Sequence, residues 1–298
     1  MDRGNSRLPQ QFDSMVHAMQ VEIAQIALVD GDVEHNTRTV TAAIARADVA
    51  GGTRLIVFPE TTLSGFPTRA NIAAVAQTVD GPALGAVRDA AARAGVAVAV
   101  GLAERKGPRY YNTSVLIDAG GAIVLRYRKT HLWGGEATVF APGDRFATCA
   151  WNGITVGILI CYDIEFPECA RALAALGADL LIVTNGNMDP YGPVHRRAMT
   201  ARAIENQVYA LVANRCGQGK KNLRFPGESA IVDPCGDIIA CANAQEIILR
   251  GQIDCARIAD SRRAYHYLKD ARVSLGLTRV ENSDGSHALV IPDRAPSD

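Results

Sequence analysis

Ile154-Thr155-Val156-Gly157-Ile158-Leu159-Ile160 runs straight into Cys161-Tyr162-Asp163-Ile164-Glu165-Phe166-Pro167-Glu168. An apolar run this long and this rich in β-branched residues reads as a buried strand. Pro167 followed by Glu168 is a helix-start signal, and Gly177 suits the stop. Cys161 is therefore expected in the turn between a strand and a helix, where backbone N–H groups favour a thiolate and a developing oxyanion. A packing cysteine is the ordinary reading of a thiol at a strand end. Two further strand ends argue for more.

Residues 54–60, Arg-Leu-Ile-Val-Phe-Pro-Glu, form an apolar run that stops at Pro59 and presents Glu60. Residues 122–129, Ala-Ile-Val-Leu-Arg-Tyr-Arg-Lys, lead through Lys129 into Thr130-His131-Leu132. In α/β sheets ligands bind beyond strand ends, where loops can be shaped without disturbing the core. Each residue alone is ordinary, but Glu60, Lys129 and Cys161 together supply a base, a cation and a nucleophile.

Phe-Pro-Glu at 58–60, Tyr-Arg-Lys-Thr-His-Leu at 127–132 and Cys-Tyr-Asp-Ile-Glu-Phe-Pro-Glu at 161–168 closely resemble the nitrilase superfamily of carbon–nitrogen hydrolases. The resemblance runs over residues 21–270. It takes in Tyr-Asn-Thr-Ser-Val-Leu-Ile-Asp at 111–118, Ala-Pro-Gly-Asp at 141–144 and Gly-Glu-Ser-Ala-Ile-Val-Asp-Pro at 227–234. It implies an α/β (α+β) fold, a four-layer α-β-β-α sandwich with its active site at one end. It also implies pairing of subunits through a helical face, hence a homodimer or a higher even-numbered homo-oligomer. That the three residues meet in one pocket follows from the resemblance, not from their spacing.

Carried over residue by residue, the resemblance makes Cys161 the nucleophile and Glu60 the general base. Lys129 and the backbone N–H of Tyr162 then hold the oxyanion. Glu136, in Trp133-Gly134-Gly135-Glu136, matches a second glutamate that positions Lys129 and the substrate amine. Among the 6 histidines only His131 follows a strand end, and the family's Lys-x-His pattern gives it loop geometry rather than base chemistry. Asp163, Glu168 and Asn112 read as residues that fix the backbone. Arg196, Arg197 and Arg202 read as a solvated or interface face of their helix.

Glu165 bears on substrate choice. Relatives that accept carboxylate-bearing substrates often carry arginine four residues after the cysteine, and an acid here favours a cationic or neutral substrate. The competing reading turns Glu165 out to solvent or pairs it with an arginine. Asn-Met-Asp-Pro-Tyr at 187–191, Arg-Ala-Ile-Glu-Asn-Gln at 202–207 and Ser-Arg-Arg-Ala-Tyr at 261–265 resemble the 5-aminopentanamidase and R-stereoselective amidase branch. On that resemblance Trp133, Asn187 and Tyr191 join Glu165 as substrate-binding residues. Gly192-Pro193 and the Glu228 of Gly-Glu-Ser, where glutamine is expected, depart from it.

The expected function is hydrolysis of small primary amides, preferably amino-bearing ones, to acid and ammonia through a cysteine thioester. An N-carbamoyl-amine hydrolase or a nitrilase would use the same Glu-Lys-Cys site. A non-catalytic binding scaffold of the same fold would have no need of that combination.

Composition narrows the classes. The 298 residues suit one large domain, and no Pro-, Ser- or Gly-rich linker divides them. Basic and acidic residues balance at 31 each, which leaves no footprint for nucleic acid. The 7 cysteines, without CxxC spacing, suggest neither a zinc site nor a secreted disulfide framework. No metal or organic cofactor is implied. No apolar stretch approaches the ~20 residues of a membrane span, and the first residues lack a signal-peptide core, so the expected location is the cytoplasm. Residues 1–19 read as a flexible extension, 20–260 as one carbon–nitrogen hydrolase domain, and 261–298 as a tail contacting a partner subunit. Within the domain, strands are expected at 21–28, 96–100, 114–117, 122–127 and 180–184, then near 210–214, 228–233, 237–241 and 246–253. Helices are expected at 32–50, 81–94, 167–176 and 193–209, the last with its apolar stripe at 194, 198, 201, 204 and 208.

Overall fold

Alternation along the strands sorts the apolar residues into two cores. Val21, Ile23, Leu55 and Val57 enter one; Ala24, Ile56 and Phe58, one residue out of step, enter the other. A strand with both faces buried belongs to the middle of a layered structure. The structure, a computed structural model describing residues 18–292, has that form. One sheet runs Ile247–Ile253, Met19–Gln25, Thr53–Val57, Ala97–Lys106, Arg109–Ile117, Ile123–Arg128 in spatial order. The second runs Ile238–Cys241, Ala230–Val232, Tyr209–Asn214, Leu180–Asn185, Ile154–Ile160, Arg145–Trp151, His287–Val290, Thr278–Glu281.

Each sheet has a parallel heart and antiparallel flanks. Met19–Gln25, Thr53–Val57 and Ala97–Lys106 are parallel neighbours, as are Ile154–Ile160, Leu180–Asn185 and Tyr209–Asn214. Parallel neighbours need crossover helices, and these form the outer layers. Val33–Ala45 and Pro82–Ala94 cover the first sheet with Val40, Ile44, Leu84 and Val87. Asp32 caps the first of these through the His35 amide at 2.9 Å, and Pro82 opens the second. Pro167–Ala175 and Gly192–Asn206 cover the second sheet. Gly157 lets the first of them sit close, since a Cβ there would lie 2.8 Å from a Leu173 methyl. The result is the expected four-layer α-β-β-α sandwich.

Several elements differ from the sequence reading. The helix expected at 193–209 is Gly192–Asn206, ended by Gln207 at φ +55, so that Tyr209 starts a strand. Its expected apolar stripe is also turned around. Val194 and Ile204 are exposed, while His195, Met199, Ala203 and Asn206 face inward. The strand Arg145–Trp151 and the hairpin Cys216–Gln218 with Arg224–Pro226 were not anticipated. Neither was the pairing of Thr278–Glu281 with His287–Val290, which adds part of the tail to the chain's own second sheet. Residues 1–17 of the expected N-terminal extension and 293–298 of the tail lie outside the described residues.

Candidate active site

Four strand ends meet at one end of the sandwich. Thr53–Val57 delivers Glu60, Ile123–Arg128 delivers Lys129, Ile154–Ile160 delivers Cys161, and Leu180–Asn185 delivers Gly186 and Asn187. This is the crevice beyond strand ends where α/β sheets bind ligands. Cys161 opens a 3-10 turn, Cys161–Glu165, ahead of the helix Pro167–Ala175. Its φ of +47 puts a non-glycine residue in the left-handed region, at a cost of about 1–2 kcal/mol.

Asp163 holds that turn in place. One oxygen accepts from the Tyr127 hydroxyl at 2.9 Å and the Ile160 amide at 3.2 Å. The other accepts from the Thr130 hydroxyl at 2.8 Å and the His131 amide at 2.9 Å. A single buried carboxylate thus ties the loop after Lys129 to the turn at Cys161. His131 stacks on Phe166 at 3.9 Å and turns its Nδ1 to Asp163, as expected of a residue that keeps loop geometry. His131, Asp163 and Cys169 bring metal-ligand atoms within 4.8 Å of one another. The Asp163 oxygens are already occupied by those four donors, which makes the trio a structural knot rather than a metal centre.

Lys129 is buried between two carboxylates. Its Nζ donates to Glu60 Oε1 at 2.7 Å and to Glu136 Oε2 at 2.8 Å. An ammonium has three donors, so one remains for a ligand. Asn112 was read as a backbone-fixing residue; its Nδ2 instead bridges the same two acids, at 2.7 Å from Glu60 Oε1 and 3.1 Å from Glu136 Oε1. The other oxygen of Glu60, Oε2, is fully buried and has no partner among the described residues. It lies where a Cβ on residue 186 would come within 2.6 Å, so only glycine leaves it room.

The charges set each group's proton affinity. Burial alone would lower Lys129, but the charges of Glu60 and Glu136 outweigh it and hold the ammonium above its usual range. Burial pushes Glu136 up, against the pull of Lys129 and with the help of the Glu60 charge. Burial likewise pushes the Cys161 thiol well up, Glu60 adds to it, and Lys129 opposes. At neutral pH the sulfur therefore rests as a thiol, in need of a base.

These groups line a cavity of about 430 Å³. Glu60, Lys129, Glu136, Cys161 and Tyr162 share it with Trp133, Glu165, Asn187 and Tyr191, so the residues given a catalytic or substrate-binding role in the sequence reading all border the same space. Trp133 and Tyr191 meet edge to face at 5.7 Å. Glu165 faces the cavity and, among the described residues, pairs with no arginine; its Oε1 accepts from His195 Nε2 at 3.1 Å. His195, set aside in the sequence because it follows no strand end, is buried and lines the pocket. Phe66 was missed altogether. It stacks on Phe225 at 5.8 Å, and the buried Arg215 guanidinium lies 4.0 Å from the Phe225 ring centre while donating to Asp30 at 2.8 Å. Nothing in the local sequence links residues so far apart. Arg202, expected on a solvated face, donates to the backbone carbonyls of Ile164 and Glu165. Arg196 pairs with Glu228, which sits at φ +59.

A layered α/β chain with acid, ammonium and thiol at one strand-end cavity has the make-up of a cysteine-dependent carbon–nitrogen hydrolase. The chain matches the carbon-nitrogen hydrolase family over residues 18–263 and belongs to that family. It is 49% identical over 273 residues to an (R)-stereoselective amidase of Pseudomonas sp, covering 92% of this chain and 98% of the relative. It is 37% identical over 199 residues to a nitrilase of Pyrococcus abyssi, covering 65% and 74%. Among solved structures it is similar to an amidase from Nesterenkonia sp. AN1 at TM-score 0.77 and 30% identity, covering 85% of this chain and 94% of that one. A mutant of that amidase carries covalent addition of the acetamide moiety of fluoroacetamide at its active site cysteine.

Proposed function

We propose that this hydrolase is an amidase that converts small primary amides, preferably ones bearing an amino group, to carboxylic acid and ammonia through a thioester on Cys161. The observation that carries the reading is the unpartnered, buried Oε2 of Glu60 in the same cavity as the Cys161 thiol and the Lys129 ammonium. As sulfur attacks the amide carbon, the thiol proton passes to Glu60. The oxyanion takes the third Lys129 donor and the Tyr162 N–H, one of the first donors of a 3-10 turn, which have no acceptor within it. Collapse breaks the carbon–nitrogen bond, and the Glu60 proton leaves with ammonia. Water, deprotonated by Glu60, then cleaves the thioester, releases the acid and restores the thiol. Glu136 and Asn112 hold Lys129 and Glu60 in register throughout.

The preference for an amino group rests on Glu165. Among the described residues no lysine or arginine pairs with its carboxylate, so its charge is left to a ligand. A desolvated like-charge contact costs several kcal/mol, which disfavours anionic amides. The exposed Val194 and Ile204 on the helix Gly192–Asn206 support pairing of two copies through this face, which light scattering after gel filtration would test.

The decisive experiment incubates the protein with amides, carbamoyl amines and nitriles, follows ammonia, and traps the adduct for mass measurement. Primary amides should turn over fastest, with an acyl mass on the peptide containing Cys161. Fastest turnover of a carbamoyl amine or a nitrile would overturn the substrate assignment. Faster hydrolysis of glutaramate than of 5-aminopentanamide would overturn the role of Glu165.

A further inference from the structure

Glu165 is held at two points by one helix. His195 Nε2 lies 3.1 Å from the Glu165 carboxylate. Further along, Arg202 donates Nη2 to the Glu165 carbonyl at 3.1 Å and Nε to the Ile164 carbonyl at 2.9 Å. Residues 195 and 202 are two helical turns apart, so both side chains leave the same face. One clamps the carboxylate and the other clamps its backbone.

The imidazole is itself held. Asn185 Nδ2 donates to His195 Nδ1 at 3.0 Å, and an acceptor at Nδ1 leaves the ring proton on Nε2, facing Glu165. The Asn185 carbonyl meanwhile accepts the Glu60 amide at 3.1 Å. One residue at the end of the strand Leu180–Asn185 thus supports the backbone of Glu60 and, through His195, the carboxylate of Glu165. His195 is only 6% exposed, so its ring has little freedom to turn away.

We infer that His195 is the positioning residue that sets selectivity for an ammonium-bearing acyl group. With Nδ1 taken up by Asn185, the imidazole offers Glu165 a single N–H donor that fixes its rotamer, whereas a lysine or arginine in that place would neutralise the carboxylate. The pocket keeps a preset negative charge at a fixed place, which lowers the ordering cost of binding a cation. The inference rests on the reading of Glu165 as the acid that meets the substrate ammonium.

The test compares 5-aminopentanamide with hexanamide, in which a methyl group replaces the ammonium. Wild type, His195→Gln, His195→Phe, His195→Met and Glu165→Gln are measured with both. Glutamine can still present an N–H, whereas phenylalanine and methionine fill the space without one, so no conclusion hangs on one variant folding. The ratio of kcat/KM for cationic over neutral substrate should fall about ten-fold in the Phe and Met variants, almost entirely through KM. His195→Gln should recover most of it. Equal losses on both substrates would reduce the imidazole to a packing role and overturn the inference. A wild type without preference, its ratio unmoved by Glu165→Gln, would overturn the reading of Glu165 itself, and the inference with it.

Discussion

Replacing Glu60 by glutamine separates the two tasks assigned to that carboxylate. A glutamine Oε1 can keep the bonds from Lys129 and Asn112, both 2.7 Å long in the native site. The free Oε2 becomes an amide nitrogen that cannot take a proton. General-base catalysis contributes about 10²–10⁴-fold to a step, and the proposed mechanism uses Glu60 in both acylation and deacylation, so ammonia release should fall toward the upper end of that range. Folding should suffer less. Exchanging charged hydrogen bonds for neutral ones costs roughly 1–2 kcal/mol, a shift of a few degrees in Tm for a chain of this size. The thiol should respond in the opposite sense to activity. The Glu60 charge helps hold Cys161 high, so its removal should move the pH profile of chloroacetamide labelling to lower pH. Steady-state ammonia release, mass spectrometry of the labelled cysteine and a thermal melt together read out all three effects. Activity within three-fold of wild type, or a labelling profile moved to higher pH, would refute the assignment of Glu60 as the base beside this thiol.

Cys161→Ala should lower turnover on the order of 10⁴–10⁶-fold and abolish the trapped acyl adduct. Gly186→Ala places a Cβ within 2.6 Å of Glu60 Oε2 and 2.4 Å of the Phe66 ring, and kcat should drop about 10²-fold because the base is displaced. Asn112→Ala, which frees both acids it bridges, should lower kcat on amides by about 10-fold or more with a smaller change in KM, as initial-rate kinetics would show. Asp30 is held below its ordinary 3.8: burial works against it, but the Arg215 charge and the Phe66 and Lys220 amides prevail. Its stabilising contribution is therefore complete above about pH 5 and lost as pH falls through the ordinary 3.8 toward the depressed value. Asp30→Asn should cost roughly 3–5 kcal/mol at pH 7, because Arg215 stays buried without its anion. It should also flatten the loss of stability between pH 5 and pH 3 in denaturant titrations.

The parts of this fold visible in the sequence are those where periodicity and burial agree. Residues 154–160 are apolar apart from Thr155 because both faces of that strand are largely covered, and Leu55–Phe58 is apolar for the same reason. The acid and the thiol were visible because each follows such a run, and the ammonium because it follows a half-buried strand, Ile123–Arg128. Short edge elements such as Thr278–Glu281 were hidden, with too few residues to establish a period and little buried area. The helix Gly192–Asn206 misled for a different reason. Apolar residues were assigned inward, but the buried face is a hydrogen-bonding one, with His195 and Arg202 reaching Glu165 and Asn206 bonding back to the Arg202 carbonyl. A buried face built to hold a polar site reads as a solvent face until its partners are known, and those partners lie 30 or more residues away.

The raised thiol also fits the chemistry better than a free thiolate would. A sulfur that had lost its proton to solvent would leave Glu60 without the proton that the departing amine needs, and amide nitrogen is a poor leaving group unless protonated. In the proposed reaction burial and the Glu60 charge hold the proton on Cys161, so that attack and proton capture would occur together and the base would be loaded when the tetrahedral intermediate collapses. Lys129 cannot replace it as the acid, because two carboxylates hold its ammonium charged throughout. The proposed mechanism therefore divides its labour by geometry: Lys129 would keep its protons and stabilise charge, while Glu60, with one oxygen bonded and the other without a partner among the described residues, would carry a single proton from sulfur to nitrogen.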